Sequence, residues 1–532
     1  MMLHTARSLR GMVTAPHHLA SQAGLQVLRA GGSAIEAAVA TAATLAVVYP
    51  HMTSIGGDGF WLICWPDGRV ETIDACGGAA AAADLALYRR AGLTAVPWRG
   101  PLAANTVAGT VSGWALALER AKAERGGTLS LAQILGEAIG YAEEGVPMTA
   151  GGAAIAREKS AELKTVPGYA SVFEPDGRPL VEGEILRNPA LGVTLRELSS
   201  SGLSGFYEGV LAKRIAEDLA TAGSPVSAAD LAGHKAQLRD PLSVRVRNAR
   251  LFNMAPPTQG VASLLILALF DRLKADEGES FAHIHGLIEA TKQAFRYRDT
   301  HVGDPAYMCI EAQHVLDDPA ALDAMTASID PERAMPWPYP SQVGDTVWLG
   351  AADASGLSVS VIQSTYFEFG SGIVLPQTGI VWQNRGAGFR LAEDGWNALR
   401  PGRKPFHTLN PAAAKFDDGR VMVYGTMGGE GQPQTQAAVF SRYARYGMGL
   451  QTAVTAPRWL LGKTWGDESV TLKYEDRFAS ELIGYLGAAG HALERVAPFT
   501  SIMGHAGALV SHIDGVIEGA SDPRSDGSVA AW

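Results

Sequence analysis

The sequence contains very little cysteine. Only Cys64, Cys76 and Cys309 occur among its 532 residues, and no two of them form a CxxC pair. Three scattered thiols cannot build a disulfide framework, and the missing CxxC pairs exclude the common cysteine-based zinc sites. This cysteine usage fits a reducing compartment.

Charge and long apolar runs are also scarce. Charged residues make up 18% of the chain and give a formal net charge of −10. This acidic balance argues against a nucleic-acid or anionic-membrane partner, because both need a basic face. The longest smooth apolar run, residues 37–49, is too short for a membrane span of about 20 residues. The first residues lack the features of a secretory signal. We therefore expect a soluble, cytoplasmic protein.

Apolar residues and glycine, in contrast, are abundant. Apolar residues reach 47%, which excludes a disordered chain, and 61 glycines without a period indicate many tight turns. Helical spacing of apolar residues is found over residues 19–30, 34–48 (capped by Ser33), 261–273 and 281–297. Strands are predicted over residues 61–65, 69–73, 242–252, 346–352, 357–364 and 421–425.

Two segments have the composition of linkers. Residues 274–280 are short and charged, whereas residues 331–345 contain Pro331, Pro336, Pro338 and Pro340. Because each proline disfavours helix in the residue before it, the second segment is expected to be extended.

Several familiar catalytic and ligand-binding motifs are incomplete or absent. Gly462-Lys463-Thr464 lacks the glycine that a phosphate-binding loop needs five residues earlier, since Pro457 stands there. Neither GxSxG nor HExxH occurs. The histidine pairs at 17–18 and at 283 and 285 lack a third ligand at useful spacing. We therefore expect neither a metal nor another cofactor.

The most informative stretch follows the proline-rich linker. A strand begins at Thr346, turns at residues 354–356 and returns through Ser364. A three-residue hairpin loop ending in glycine puts Thr346 opposite Ser364, within the one-residue shift that a bulge would cause. Further on, Gly428 and Gly429 follow a strand, where paired glycines can turn N–H groups toward a developing oxyanion. Each of these features alone is more often structural than catalytic. Only their order along the chain, together with the other motifs, indicates a catalytic function.

With its other motifs, the chain resembles the gamma-glutamyltransferase family of N-terminal-nucleophile hydrolases. The resemblance covers nearly the whole length and includes residues 56–60 (GGDGF), 105–114 (NTVAGTVSGW), 256–260 (PPTQG) and 520–524 (ASDPR). It implies an α+β fold, a four-layer αββα sandwich. It also implies self-cleavage between Asp345 and Thr346. The large fragment 1–345 and the small fragment 346–532 would then form one globular heterodimer, with a dimer of heterodimers left open.

The same resemblance implies the catalytic roles. Thr346 is the nucleophile, and its freed α-amine is the base. Such an amine has an ordinary pKa of about 7.7–8.0, so an appreciable fraction is neutral at neutral pH. Ser364 occupies the position of the hydroxyl that hydrogen-bonds the nucleophile, and Gly428 and Gly429 occupy the oxyanion-hole positions.

The residues that hold a glutamyl substrate in this family are largely absent. Cys76 stands where an arginine is expected, and Gly388 where an acidic residue is expected. His407 and Thr408 replace paired serines, and Tyr366 replaces an asparagine. Because a bidentate arginine is not easily replaced, glutathione is a poor candidate substrate.

Residues 366–372 and 382–386 are similar to the oxamate amidohydrolase branch of this family. That similarity implies a small anionic amide as substrate, with Arg385 on its carboxylate and His407 and Thr408 as polar neighbours. Bulky Tyr366 and Trp382 would narrow the pocket. Arg385 could equally be a structural arginine that holds loop carbonyls. The alternatives to an oxamate-cleaving enzyme are a gamma-glutamyl hydrolase or transferase and an unprocessed, non-catalytic binding protein.

Overall fold

Two antiparallel sheets of seven strands each form the centre of the computed structural model, which describes residues 4–127, 129–337, 345–462 and 470–532. Strands are numbered in chain order. The first sheet runs β1 (Ala6–Ser8), β18 (Ile517–Ser521), β17 (Ala506–Ser511), β13 (Val421–Thr426), β12 (Ala412–Phe416), β9 (Ala249–Asn253), β8 (Leu242–Val246). The second runs β19 (Ser528–Ala531), β2 (Gly11–Ala15), β10 (Asp345–Asp353), β11 (Ser358–Tyr366), β3 (Asp58–Cys64), β4 (Val70–Ala75), β7 (Gln237–Arg239).

Two small sheets lie outside this pair. They consist of β14 (Trp459–Leu461), β15 (Leu472–Glu475) and β16 (Leu493–Val496), and of β5 (Val146–Pro147) and β6 (Ile185–Leu186). Part of the predicted 331–345 linker, residues 338–344, lies outside the described residues, as do Lys463 and Thr464.

Helices flank the two sheets. They are α1 (His18–Arg29), α2 (Ala34–Val48), α3 (Leu85–Arg90), α4 (Thr110–Arg125), α5 (Leu131–Glu144), α6 (Ala150–Leu163), α7 (Tyr169–Phe173), α8 (Pro189–Ser201), α9 (Gly209–Ala222), α10 (Ala228–Gly233), α11 (Gly260–Arg272), α12 (Phe281–His301), α13 (Ala312–Leu316), α14 (Pro319–Ala327), α15 (Gly431–Phe440), α16 (Leu450–Thr455) and α17 (Ser480–Ala488). Short 3-10 turns occur at Leu203–Phe206, Pro305–Tyr307, Arg385–Gly388 and Ser501–Met503, and a π turn at Ser441–Arg445.

The two sheets pack face to face. Met12 and Leu62 of the second sheet belong to one buried apolar cluster with Val423 and Leu509 of the first. Larger apolar clusters lie between each sheet and its helices, with α1, α2 and α5 on one side and α11, α12 and α15 on the other. The predicted four-layer αββα sandwich is confirmed.

Helix α2 illustrates how the sequence determines an element. All of its residues are buried, because small side chains cover every face. Ser33 and Glu36 form a reciprocal capping box, in which the Ser33 N–H donates to Glu36 Oε2 at 2.7 Å. The predicted bounds and cap are both confirmed.

Helix α12 runs to His301, four residues beyond the predicted end at 297. Arg298, in this added turn, is buried and pairs with Glu430 at 2.9 Å. A tertiary ion pair therefore extends a helix whose apolar periodicity has already ended. Among the described helices, none is both long and apolar enough to cross a membrane.

Candidate active site

Thr346 lies near the start of the central strand β10 and is almost completely buried. Val347 pairs with Gln363 and Asp345 pairs with Tyr366, so Thr346 lies opposite Ser364 and Thr365. Two residues of β11 thus oppose one residue of β10, which makes a bulge in β11 beside the nucleophile position. The predicted hairpin register is confirmed, and the bulge bends β11 at Ser364.

The Thr346 hydroxyl has a polar environment. Gln432, at the first turn of α15, donates from Nε2 to Thr346 Oγ1 at 3.4 Å. The Gln432 Oε1 atom accepts from the Asn410 N–H at 3.2 Å, so the orientation of its amide is set by the backbone. Nothing in the sequence singles out Gln432, because its distance along the chain from Thr346 is 86 residues.

Ser364 lies on β11 between Thr346 on β10 and Asp58 on β3. Its Oγ atom accepts a hydrogen bond of 2.8 Å from the Tyr366 N–H. A hydroxyl that accepts there can still donate its own proton. The placement is therefore compatible with the predicted hydrogen bond to the nucleophile.

Gly428 and Gly429 form a turn directly after β13. Their φ angles are +112° and +51°, conformations that favour glycine. The Gly428 carbonyl accepts from the Gly431 N–H at 2.7 Å. Within the described part of the chain, the N–H groups of Gly428 and Gly429 donate to no protein acceptor. The turn thus has the donors that an oxyanion hole requires.

Arg385 is a buried cation with hydrogen-bond donors that no described protein group uses. It begins the 3-10 turn Arg385–Gly388 and is 1% exposed. Its guanidinium carbon lies 3.6 Å from the centroid of the Tyr366 ring, and Nη1 donates to Thr408 Oγ1 at 3.5 Å. Nε and Nη2 have no hydrogen-bond partner among the described residues. Burial lowers the pKa of Arg385, although nearby Tyr366, Cys76 and Asp58 act in the opposite direction.

Tyr366 has an unusual backbone conformation for a bulky residue. Its φ is +84°, a region that side chains other than those of glycine rarely adopt. Burial raises the pKa of its hydroxyl. The strained residue places its ring under Arg385, as a cation–π contact requires. Trp382, its expected companion, is buried, with its indole N–H donating to the Thr106 carbonyl at 3.1 Å.

His407 and Thr408 have different roles from each other. His407 Nε2 lies 3.2 Å from Asp58 Oδ2, and Nδ1 accepts from the Leu409 N–H at 3.4 Å, so both ring nitrogens have protein partners. The structure thus places His407 as a support of Asp58, whereas Thr408 contacts Arg385 directly.

Asp58, in the GGDGF segment, is completely buried. Its Oδ1 atom accepts from the N–H groups of Gly77 and Gly109 and from Gln383 Nε2, at 3.1–3.2 Å. Burial raises its pKa to about 6, although the bonds from Gly77 and Gln383 act in the opposite direction. The carboxylate therefore joins separate segments around the site. An acidic residue inside a glycine cluster was the available signal.

Two groups of potential metal ligands occur among the described residues. In the first, Asp58, Cys76 and His407 lie together, but Asp58 accepts four hydrogen bonds and His407 Nδ1 accepts from Leu409. The Cys76 thiol donates to the Gly77 carbonyl at 3.5 Å, and burial raises its pKa. Cys76 is thus disfavoured as a thiolate ligand. The lone pairs of Asp58 and His407 that a metal would need already accept hydrogen bonds from protein groups.

The second group is His285, Glu289 and His491. His285 Nδ1 lies 2.9 Å from His491 Nε2, and its other nitrogen lies 2.9 Å from the Asp330 carbonyl. Lys292 contacts Glu289 at 2.6 Å, so the carboxylate already has a cation. The group is satisfied as a buried polar network.

Of the predicted cleavage pair, the Asp345 side chain lies outside the described residues, although its backbone belongs to β10. Of the other residues predicted for the site, Gly428 is half-buried and the rest are buried. Thr346 and Ser364 face each other across β10 and β11, and Arg385 contacts Tyr366 and Thr408.

Comparison with known proteins places this arrangement in context. The chain matches the gamma-glutamyltranspeptidase family over residues 20–532. It is 52% identical over 525 residues to the oxamate amidohydrolase proenzyme of Klebsiella pneumoniae subsp. pneumoniae, covering 99% of each chain. It is 39% identical to the glutathione hydrolase-like YwrD proenzyme of Bacillus subtilis, covering 97% of each. The crystal structure of cephalosporin acylase from Bacillus halodurans superposes with a TM-score of 0.91 at 32% identity, covering 100% of this chain and 97% of the other.

Proposed function

Because this chain belongs to the gamma-glutamyltranspeptidase family of hydrolases acting on C–N bonds, we propose that it is a self-processing N-terminal-threonine amidohydrolase. Its substrate is a small amide that carries a carboxylate, with oxamate as the leading candidate. The reaction consumes water and converts oxamate to oxalate and ammonia. The observation that carries the proposal is Arg385, a buried guanidinium with two nitrogens that have no partner among the described residues.

Processing comes first in the proposed sequence of events. The Thr346 hydroxyl attacks the carbonyl of Asp345, the C–N bond between the two residues breaks, and an ester forms. Water then cleaves the ester, which leaves a carboxylate on Asp345 and a free amine on Thr346. Residues 1–345 and 346–532 remain together as a heterodimer, because β10 lies between β2 and β11 in the second sheet. The association of two heterodimers into a larger assembly stays an open prediction.

Turnover uses the group that processing releases. The Thr346 amine accepts the proton of its own hydroxyl, and Oγ attacks the amide carbon of oxamate. The N–H groups of Gly428 and Gly429 stabilise the oxyanion, an effect of about 3–4 kcal/mol per donor. Ammonia leaves with the proton, and water hydrolyses the oxalyl ester. Ser364 orients the Thr346 hydroxyl in this scheme.

The buried environment of Arg385 favours a small anion. A carboxylate that enters the site gains a charge-assisted bidentate contact with a guanidinium that water does not reach. Tyr366 covers one face of that guanidinium at 3.6 Å, and Thr408 contacts one of its nitrogens. The edge that carries Nε and Nη2, which have no partner among the described residues, therefore suits one planar carboxylate. Cys76 has no charge to hold a second group, which disfavours the α-amino acid end of a glutamyl substrate.

A gamma-glutamyl substrate remains the second candidate, because a relative that is 39% identical is a glutathione hydrolase-like proenzyme. The third is an unprocessed binding protein. A cytoplasmic location, with no nucleic-acid or membrane partner, stays a prediction based on composition.

A panel of amides assayed with processed protein separates these candidates. A denaturing gel should show two fragments, and sequencing of the smaller one should begin Thr-Val-Trp-Leu. Ammonia release from oxamate, compared with release of the amine from a gamma-glutamyl anilide, then identifies the substrate class. A single intact band without turnover would refute the proposed enzyme and support the binding protein.

A further inference from the structure

Gln259 makes a set of contacts that connects the two halves of the candidate site. It directly precedes α11 and is completely buried. Its Nε2 atom donates to the carbonyl of Thr408 at 2.7 Å and to the carbonyl of Gly429 at 2.8 Å. One side-chain amide thus binds the backbone on the Arg385 side and the backbone of the oxyanion turn.

The orientation of the Gln259 amide is fixed by a hydrogen bond to its oxygen. Arg298 of α12 donates from Nη1 to Gln259 Oε1 at 2.9 Å. Since a guanidinium can only donate, the Gln259 oxygen must face Arg298, and both amide hydrogens must point to the two carbonyls. Arg298 also pairs with Glu430 at 2.9 Å and lies 3.9 Å from the centroid of the Phe295 ring. The support of Gln259 is therefore itself rigidly held.

The oxyanion turn needs such external bonds. Gly428 and Gly429 both have positive φ angles, and glycine has more backbone freedom than any other residue. The Gly431 N–H fixes the Gly428 carbonyl, and with it the peptide plane that carries the Gly429 N–H. Gln259 at 2.8 Å and the Gln432 N–H at 3.3 Å hold the next peptide plane through the Gly429 carbonyl, and the bond from Gln259 is the shorter of the two. Together these bonds restrict the peptide planes of the turn.

We infer that Gln259, oriented by Arg298, is a positioning residue that holds the oxyanion-hole glycines in register with the Arg385 side of the site. This inference rests on the proposed function, because it assumes that Gly428 and Gly429 stabilise the oxyanion. A residue of the large fragment 1–345 would then contribute to the reaction at Thr346. An alternative role for Gln259 is simply to satisfy two buried carbonyls, which would affect stability and not the rate.

Two replacements of Gln259 separate these roles. Gln259→Glu keeps the size but presents oxygen to both carbonyls, and Gln259→Met keeps the volume without any hydrogen bond. We expect kcat per processed Thr346 terminus to fall about 10- to 100-fold in both, because small displacements of catalytic groups are costly. The KM for oxamate should change less than about threefold, since the Thr408 contact to Arg385 is long at 3.5 Å.

Gln313→Met is the matched control. Gln313 also donates from Nε2 to a backbone carbonyl, that of Ser243 at 2.9 Å, but it lies beside β8 at the edge of the first sheet. We expect it to lower the thermal midpoint and leave kcat unchanged. If the Gln259 variants lose no more kcat than Gln313→Met, the positioning role is wrong.

A second assay keeps this test independent of the substrate. Acylation of Thr346 by p-nitrophenyl acetate needs the oxyanion hole but no carboxylate contact, and nitrophenolate release measures its rate. We expect the same 10- to 100-fold loss in this rate. Normal acylation in the Gln259 variants refutes the inference, whereas failure of the wild type on oxamate alone refutes only the proposed substrate. If Gln259→Glu does not fold and process, Gln259→Met provides the same comparison.

Discussion

The two sides of the candidate site are built differently. On the reacting side, Thr346, Ser364, Gly428 and Gly429 are placed by strand register and by a glycine turn. On the binding side, Arg385 is placed by its side-chain contacts, including a ring and a hydroxyl from separate segments. The backbone thus places the side for which the family resemblance implies the reaction, whereas side chains build the side proposed to bind the substrate. If both proposals hold, the binding side can be altered while the backbone that places Thr346 is kept.

Removing the nucleophile should give the largest effect. Thr346→Ala has no hydroxyl for either processing or turnover, so we expect one intact chain and a loss of at least about 10⁴-fold in activity. A denaturing gel and ammonia release measure the two results. Thr346→Ser is the matched control, because it keeps both the hydroxyl and the amine and should still be processed. Turnover by Thr346→Ala would remove this residue from the mechanism.

Removing the cation should affect the binding side alone. In Arg385→Met the substrate carboxylate loses its partner, and we expect kcat/KM for oxamate to fall about 10²- to 10³-fold. Processing should be unaffected, since the reacting side is intact. The thermal midpoint should rise, because a buried charge without an anion destabilises the free enzyme.

The combination of lower activity and higher stability is what distinguishes a substrate-binding arginine from a structural one. A structural Arg385 that holds loop carbonyls would give a lower thermal midpoint in Arg385→Met. Unfolding followed by calorimetry on processed protein, with and without oxalate, measures both states. Arg385→Lys keeps the charge but not the bidentate geometry, and it should recover only part of the activity.

The Tyr366 ring should matter more than its hydroxyl. Tyr366→Phe keeps the face on which Arg385 lies, and we expect less than about a threefold change in KM. Tyr366→Leu removes the cation–π contact, worth about 0.5–2 kcal/mol, which corresponds to a 2- to 30-fold rise in KM. Steady-state kinetics on oxamate compare the two variants. Equal effects in both would assign the role to the hydroxyl instead.

The sequence predicts the register of β10 with β11 and the glycine turn after β13, because both signals are local. The turn at residues 354–356 determines the register as far as Val347, and paired glycines favour a turn wherever the strands lie. Helix α2 and its Ser33 cap are equally local.

The supporting contacts, in contrast, depend on tertiary structure. Gln259 lies 170 residues from Gly429 along the chain, and Asp58 lies 349 residues from His407. Both Gln259 and Asp58 stand in motifs that carry the family resemblance, but no periodicity or motif records such pairings. The sequence allows for a bulge in this hairpin but does not place it, because the bulge in β11 arises where Asp345 pairs with Tyr366 across the two strands.

The smallest expected effect concerns His407, which lies on the binding side but should not titrate in the working range. Burial and, next, the charge of Arg385 hold its pKa well below the ordinary value. A base with a lowered pKa is neutral at every pH above that value, so His407 contributes no inflection near neutral pH. The rise of kcat/KM with pH should instead follow loss of a proton from the Thr346 amine, at an ordinary pKa of about 7.7–8.0.

The variant His407→Gln tests this assignment, because an amide can donate to Asp58 but cannot titrate. We expect its pH profile to keep the inflection of the wild type. The maximal kcat/KM can fall, because the contact between residue 407 and Asp58 is weakened. Acetylation of the Thr346 amine should remove the activity that shows this inflection. If the inflection instead disappears in His407→Gln, a side-chain imidazole is the base, and the two sides of the site are not as separate as their construction indicates.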